Sequence, residues 1–154
     1  MKSSTIILFV LTICSAAFAY EPTPAFIQYL KSVEGFRGDV YVCAGGYATI
    51  GYGHQVKAGE AFGRISERQA NELLKEDCMA FSRQIEAKYG NGLSQRQYEQ
   101  LLDYTFNLGS LRQFPKMERA ILTNDLSTQR REYKRYVHGK PLGRNKVFAK
   151  YFNL

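Results

Sequence analysis

Residues 33–54 read VEGFRGDVYVCAGGYATIGYGH. Glu34 is followed after eight residues by Cys43, and Cys43 after five by Thr49, so a carboxylate, a thiol and a hydroxyl share one glycine-rich stretch. Tyr41, Thr49, Ile50 and Tyr52 are strand formers set among Gly45, Gly46, Gly51 and Gly53, which predicts short strands and tight turns over 38–56. Upstream, Thr23-Pro24 is a helix start: Thr as the cap, Pro at the first helical position. Phe26, Ile27, Leu30 and Val33 then recur at helical intervals, and Gly35 ends the run, which places Glu34 on the last turn.

Downstream the pattern turns helical. Ser66-Glu-Arg-Gln69 is a capping-box signature before Ala70, Leu73, Leu74, Cys78, Phe81 and Ile85, and Tyr89-Gly90-Asn91-Gly92 marks the end of that helix. Ser94-Gln-Arg-Gln97 repeats the signature before Tyr98, Leu101, Leu102, Thr105 and Phe106, with Gly109 as the stop. Further helices are expected over 115–122 and 125–137, then a turn and a short final helix. One helix, a small sheet and then mostly helices make an α+β fold with the sheet confined to the N-terminal third. Such a plan has two lobes, with Glu34 at the groove between them.

At 154 residues the chain is one domain, large enough for a real core, and 45% hydrophobic with 23% charged residues is ordinary globular composition. Residues 1–19 differ. A basic start, the apolar run TIILFVLTIC and the Ala-Phe-Ala ending at Ala19 fit a cleaved export signal, leaving a domain over 20–154. An uncleaved membrane tether over 5–19 stays open. The expected site of action is periplasmic or extracellular, or the inner-membrane surface for the tethered form. Without the leader only Cys43 and Cys78 remain, and two thiols in an oxidising compartment can pair. No Cys/His cluster has zinc spacing, so neither metal nor other cofactor is expected. Charge is uneven: residues 20–109 carry 9 Lys/Arg against 11 Asp/Glu, and residues 110–154 carry 11 against 3. The basic C-terminal part favours a polyanionic partner, and for an exported monomer that partner is the cell wall rather than nucleic acid.

The quoted stretch resembles the active-site segment of phage-type lysozymes, the muramidases of glycoside hydrolase family 24. Glu34-Gly35, Tyr41, Gly46, Thr49, Ile50-Gly51-Tyr52-Gly53 and His54 stand at the family's spacing without a gap, and Cys43 stands where the family usually has Asp. LSQRQYEQLLDYTFNLG, residues 93–109, is similar to the family's core helix ending in Phe-Asn-x-Gly. The resemblance covers roughly residues 24–109; beyond, only spacing and a Gly-Lys…Arg pattern are similar. It implies a lysozyme-like two-lobed fold and hydrolysis of the β-1,4 bond between N-acetylmuramic acid and N-acetylglucosamine in peptidoglycan. It also implies that His54 pairs with Asp77 across the lobes, and that Arg144 is the partner of Glu34.

The chemistry of the residues agrees. Glycoside cleavage needs an acid for the leaving oxygen and a second group at the anomeric carbon. Glu34 at a helix end facing a groove is the acid, its proton retained by partial burial. Cys43 leaves three readings open, because a thiol is mostly neutral at pH 7. It acts as thiolate nucleophile or base, or it is a redox lock closed by a disulfide, or the protein binds wall without turnover. Thr49 is expected to position water or sugar, although strand propensity alone also explains it. Asn107 is a candidate for the acetamido group or else a helix cap. Tyr52 and Phe106 are groove-lining candidates, with core packing the plainer alternative.

Overall fold

The computed structural model describes residues 20–154; the leader expected over 1–19 lies outside the described residues. Helix α1 runs Pro24–Glu34, with the Thr23 hydroxyl accepting from the Phe26 amide and Gly35 (φ 70°) ending it. Glu99 reaches back to anchor this start: its Oε1 accepts from the Thr23 amide at 3.0 Å and the Thr23 hydroxyl at 2.7 Å. Glu34 is thus the last residue of a helix fixed at both ends.

Strands β1 (Arg37–Val42), β2 (Ala48–Gly51) and β3 (His54–Gln55) form an antiparallel sheet in that order. Tyr41 pairs with Thr49 and Ile50 with His54. The turn between β2 and β3 needs Gly51 (φ 66°) and Gly53 (φ 90°), a backbone region that side chains with a Cβ rarely adopt. Gly51 serves packing as well, since a Cβ there would sit 3.1 Å from the Cβ of Ala70 on the next helix.

That helix, α2 (Glu67–Tyr89), links the lobes and carries the full Ser66–Gln69 capping box. Of the stripe expected from the periodicity it buries Ala70, Leu74, Cys78 and Ile85, with Leu73 and Phe81 partly buried, and it buries Ser82 as well. Helix α3 (Gln95–Leu108), capped by Ser94 and Gln97, is the axis of the helical lobe: every residue from Gln97 to Thr105 is buried, Glu99, Gln100 and Asp103 included. Burying polar groups is costly unless they are paired, and these are. The Gln100 amide donates to Gln129, Glu99 caps α1, and Asp103 binds Arg144. A short 3₁₀ turn, α4 (Pro115–Leu122) and α5 (Leu126–Glu132) follow.

The helix expected over 125–137 stops at Glu132. Tertiary bonds overrule local propensity there. The Tyr133 carbonyl is taken by the Tyr104 hydroxyl at 2.8 Å, and the Arg135 backbone is clamped by Asn145, its amide donating at 2.9 Å and its carbonyl accepting at 2.8 Å. The chain leaves the helix as a small hairpin, β4 (Tyr136–Val137) and β5 (Lys140–Pro141), before α6 (Arg144–Tyr151). The end of α6 closes on α1: Tyr151 and the following Phe152 meet Phe26 and Tyr29, and Phe148 packs behind Phe152. No helix among the described residues is long and apolar enough to cross a membrane.

Candidate active site

A cleft of about 340 Å³ lies between the sheet and the helices. The sheet side brings Tyr41, Cys43, Tyr47, Thr49, Gln55 and Lys57; the helical side brings Asp77 and Phe81 of α2 and Phe106, Asn107, Leu108 and Gly109 at the end of α3. Glu34 stands at the junction. The three groups picked from the opening stretch, Glu34, Cys43 and Thr49, therefore face one cavity.

The side chain of Glu34 is 18% exposed. Burial pushes its carboxyl above the ordinary carboxylate range, against the pull of the Arg144 guanidinium, whose Nη1 donates to Oε1 at 2.7 Å. Gly53 explains how the carboxylate is covered: a Cβ there would lie 3.3 Å from Oε2 and 3.6 Å from Phe106 Cε1. The strand turn lies against the acid with no side chain in between.

Cys43 is a free, half-buried thiol at the start of the β1–β2 turn. The turn is closed by the Cys43 amide to the Tyr47 carbonyl and the Gly46 amide to the Cys43 carbonyl, both at 2.9 Å. Backbone donation from Tyr47, then the Thr49 hydroxyl, pulls the thiol below its ordinary value. Thr49 itself is buried, and its hydroxyl donates to the Tyr47 carbonyl at 2.9 Å. That single hydrogen serves one acceptor at a time, so it is available to the sulfur only when it leaves the carbonyl. Cys78 is also free, buried on α2, with burial pushing its thiol up to about 12. No disulfide joins it to Cys43, so the pairing entertained above is absent among the described residues.

His54 is buried between two carboxylates: Nδ1 is 2.9 Å from Asp77 and Nε2 is 3.1 Å from Glu60. A neutral ring donates from one nitrogen only, whereas the protonated ring satisfies both acceptors. This pair ties β3 to α2. Burial raises the Asp77 carboxyl while His54 opposes it.

Asn107, near the end of α3, has a buried Oδ1 with no hydrogen-bond partner, and the residue lines the cleft. It does not cap the helix; Gly109 does. Phe106 lines the cleft as well and meets Phe81 edge-on at 5.8 Å. Tyr52 does not line it. Its ring is 5% exposed, its hydroxyl donates to Glu67 at 2.5 Å, and Lys31 sits over its face at 5.0 Å. Tyr52 lies in the β2–β3 turn, where its contacts with Glu67 and Lys31 hold its side chain toward the start of α2 and away from the cavity.

The residues unread in the sequence lie beneath Glu34. Asp103, fully buried, accepts from Arg144 Nη2 at 2.7 Å and from the Tyr29 hydroxyl at 2.8 Å. Its other oxygen lies 2.6 Å from Arg135 Nη1, a charge contact without hydrogen-bond alignment. Arg135 in turn lies over the rings of Tyr104 at 4.3 Å and Phe148 at 4.9 Å. The only local signal was an acid inside the apolar run LLDYTF. Glu60, Lys57 and Gln55 had none beyond closeness to His54.

A family model described as Phage lysozyme matches residues 31–149. An endolysin of Bacillus phage B103 is 33% identical over 87 residues, which are 55% of this chain and 33% of the relative. An endolysin of Acyrthosiphon pisum secondary endosymbiont phage 1 is 32% identical over 82 residues, 52% of this chain and 54% of the relative. The aligned part thus spans a third to about half the length of these curated relatives. The muramidase domain of SpmX from Asticaccaulis excentricus superposes with a TM-score of 0.64 at 20% identity, over 87% of this chain and 96% of that one. The endolysin from Escherichia coli O157:H7 phage FAHEc1 gives 0.65 at 20% identity, over 86% and 93%. At such identity the likeness is one of fold: a small sheet, a linking helix and a helical lobe.

Proposed function

Because the chain belongs to the phage lysozyme family, we propose that it is a peptidoglycan hydrolase, a muramidase cutting the β-1,4 bond between N-acetylmuramic acid and N-acetylglucosamine. The observation that carries this reading is the meeting of Glu34, Cys43 and Thr49 on one cleft. Burial favours the protonated form of the Glu34 carboxyl, and the hydrogen bonds at Cys43 favour its thiolate. An acid and its anionic counterpart need those two leanings.

In this reading Glu34 protonates the leaving glycosidic oxygen as the C–O bond breaks. The sugar gains oxocarbenium character, and the Cys43 thiolate faces it either as nucleophile or as base to a water held by Thr49. Arg144 neutralises Glu34 once its proton has left. The unpartnered Asn107 Oδ1 takes the N–H of an acetamido group, and Phe106 gives the sugar an apolar edge. His54 and Asp77 hold β3 on α2 and so keep the cleft walls in register. The substrate lies outside the cytoplasmic membrane, which fits an export leader or a tether over 1–19; the domain works as a monomer without cofactor, and nucleic acid is not its partner.

The deciding experiment replaces Glu34 by Gln and measures release of reducing ends from purified peptidoglycan, with circular dichroism to verify the fold. Turnover falls by at least ~10²-fold, the usual worth of a positioned acid. Undiminished release from a folded variant removes Glu34 from its role. The second reading, a wall-binding protein without turnover, rests on the thiol standing where the family usually has Asp. It predicts that wild type pellets with peptidoglycan yet liberates no reducing ends. Where turnover is seen, inversion at the anomeric carbon excludes a covalent sulfur intermediate.

A further inference from the structure

An acid in a one-to-one ion pair with arginine is held ionised and cannot give up a proton, because a neighbouring opposite charge favours the charged form. Glu34 has such an arginine at 2.7 Å. Arg144, however, is shared. Its two terminal nitrogens go to different carboxylates, Nη1 to Glu34 and Nη2 to Asp103, at the same 2.7 Å. We propose that Asp103 and Arg135 are positioning residues that set the protonation of Glu34 by dividing the charge of Arg144. This rests on Glu34 being the acid of the proposed reaction.

The charges can be followed directly. Asp103, Arg135 and Arg144 together carry one net positive charge, which an ionised Glu34 brings to zero. Without Asp103, two guanidinium charges face one carboxylate, and the proton on Glu34 is expelled. Without Arg135, Asp103 leans wholly on Arg144, and Glu34 keeps its proton to higher pH. The two neighbours therefore act in opposite senses, in line with the raising effect of Asp103 and the lowering effect of Arg135 on the Glu34 carboxyl. Arg135 is held in place by packing: it is buried, stacked over Tyr104 and Phe148, and clamped at its backbone by Asn145.

The remaining groups around Glu34 do not confuse the result. From α1, Tyr29 donates to Asp103, and burial pushes its hydroxyl far above its ordinary value, so it stays neutral. From β1, Tyr41 is raised too, with Arg37 over its ring at 4.6 Å and the Cys43 thiol beyond it. The β2–β3 turn offers only Gly53, and α3 adds the apolar ring of Phe106.

The test follows the Glu34 carboxyl by NMR in protein labelled with ¹³C at glutamate side chains, assigned by its loss in Glu34→Gln. Wild type, Asp103→Asn, Arg135→Gln and the double variant are titrated, and wall hydrolysis is measured against pH alongside. The Glu34 midpoint moves down in Asp103→Asn and up in Arg135→Gln, each by about one pH unit or more. The double variant falls between the two single variants, because both opposing effects are gone. The alkaline limb of activity moves with the midpoint in each case. Midpoints that stay put, or move the same way in both single variants, overturn the proposal, since a merely structural role lowers activity without moving a titration. Should Asp103→Asn fail to fold, the upward shift in Arg135→Gln decides the matter. If midpoints move as expected while Glu34→Gln keeps its turnover, the proposed reaction falls and the electrostatic assignment stands.

Discussion

In the proposed reaction Cys43 is the residue that decides the chemistry. Its thiol is pulled below its ordinary value by the N–H of Tyr47 and then by the Thr49 hydroxyl, both local to the turn. Replacing it by Ala should cost about 10²- to 10⁴-fold in reducing-end release. Cys43→Asp supplies a carboxylate outright; it should keep activity, resist iodoacetamide, and extend the acid limb of the pH profile to lower pH, because Asp ionises well below a thiol. Loss of activity in Cys43→Asp, with the fold intact, would show that sulfur itself reacts. Glu34 allows a second prediction at this scale. Its folded-state value lies above the unfolded one, so the native state holds the proton more tightly. Wild type therefore loses stability as pH rises from the unfolded carboxylate value through the raised folded one. Glu34→Gln has no such dependence. Its Tm should exceed that of wild type by a margin that grows over that window and then levels, as read by thermal denaturation at a series of pH values.

Among the elements, the β2–β3 turn sets the acid most directly. Gly53 combines φ 90° with a Cβ position 3.3 Å from Glu34 Oε2. Gly35 has a similar φ of 70° and open space around its Cβ position. Substitution by Ala at either should cost about 1–3 kcal/mol from backbone strain. Only Gly53→Ala should also cut hydrolysis sharply, because it alone displaces Glu34; equal activity in the two variants would refute the steric account. The helices show how much of the local structure was legible beforehand. Thr23, Ser66 and Ser94 were readable as caps because capping is a contact within one turn, and all three accept the expected amide hydrogen bond. The extra length expected for α5 was not, because Asn145 and Tyr104, both distant in sequence, set its end.

Across the whole molecule, charge and fold divide the labour. The groups proposed to react, Glu34 at the end of α1 and Cys43 at the start of the β1–β2 turn, line the cleft, while the exposed lysines at 140, 146 and 150 belong to the basic C-terminal part. Changing these three to Glu should weaken adsorption of the protein to peptidoglycan sacculi at low ionic strength. The difference should fade toward about 1 M salt, where the Debye length shrinks to about 3 Å. Adsorption unchanged at low salt would mean that the basic surface has no part in wall binding. These lysines do not line the cleft where the reaction is proposed, so turnover of short soluble glycan fragments should be unaffected.

The sequence by itself determined the α+β plan, the caps of three helices and the convergence of Glu34, Cys43 and Thr49, because each depends on spacing within a few residues or on one hairpin. It also pointed to His54 with Asp77 and to Arg144 with Glu34, through resemblance rather than spacing. Tertiary structure alone decided that Tyr52 belongs to the core, that Cys43 and Cys78 stay apart, and that Arg144 serves two acids. Asp103 comes from α3, Arg135 from the segment between α5 and β4, and Arg144 from α6, and ion pairing inside a core depends on distance in space. Nothing in their order along the chain records that distance.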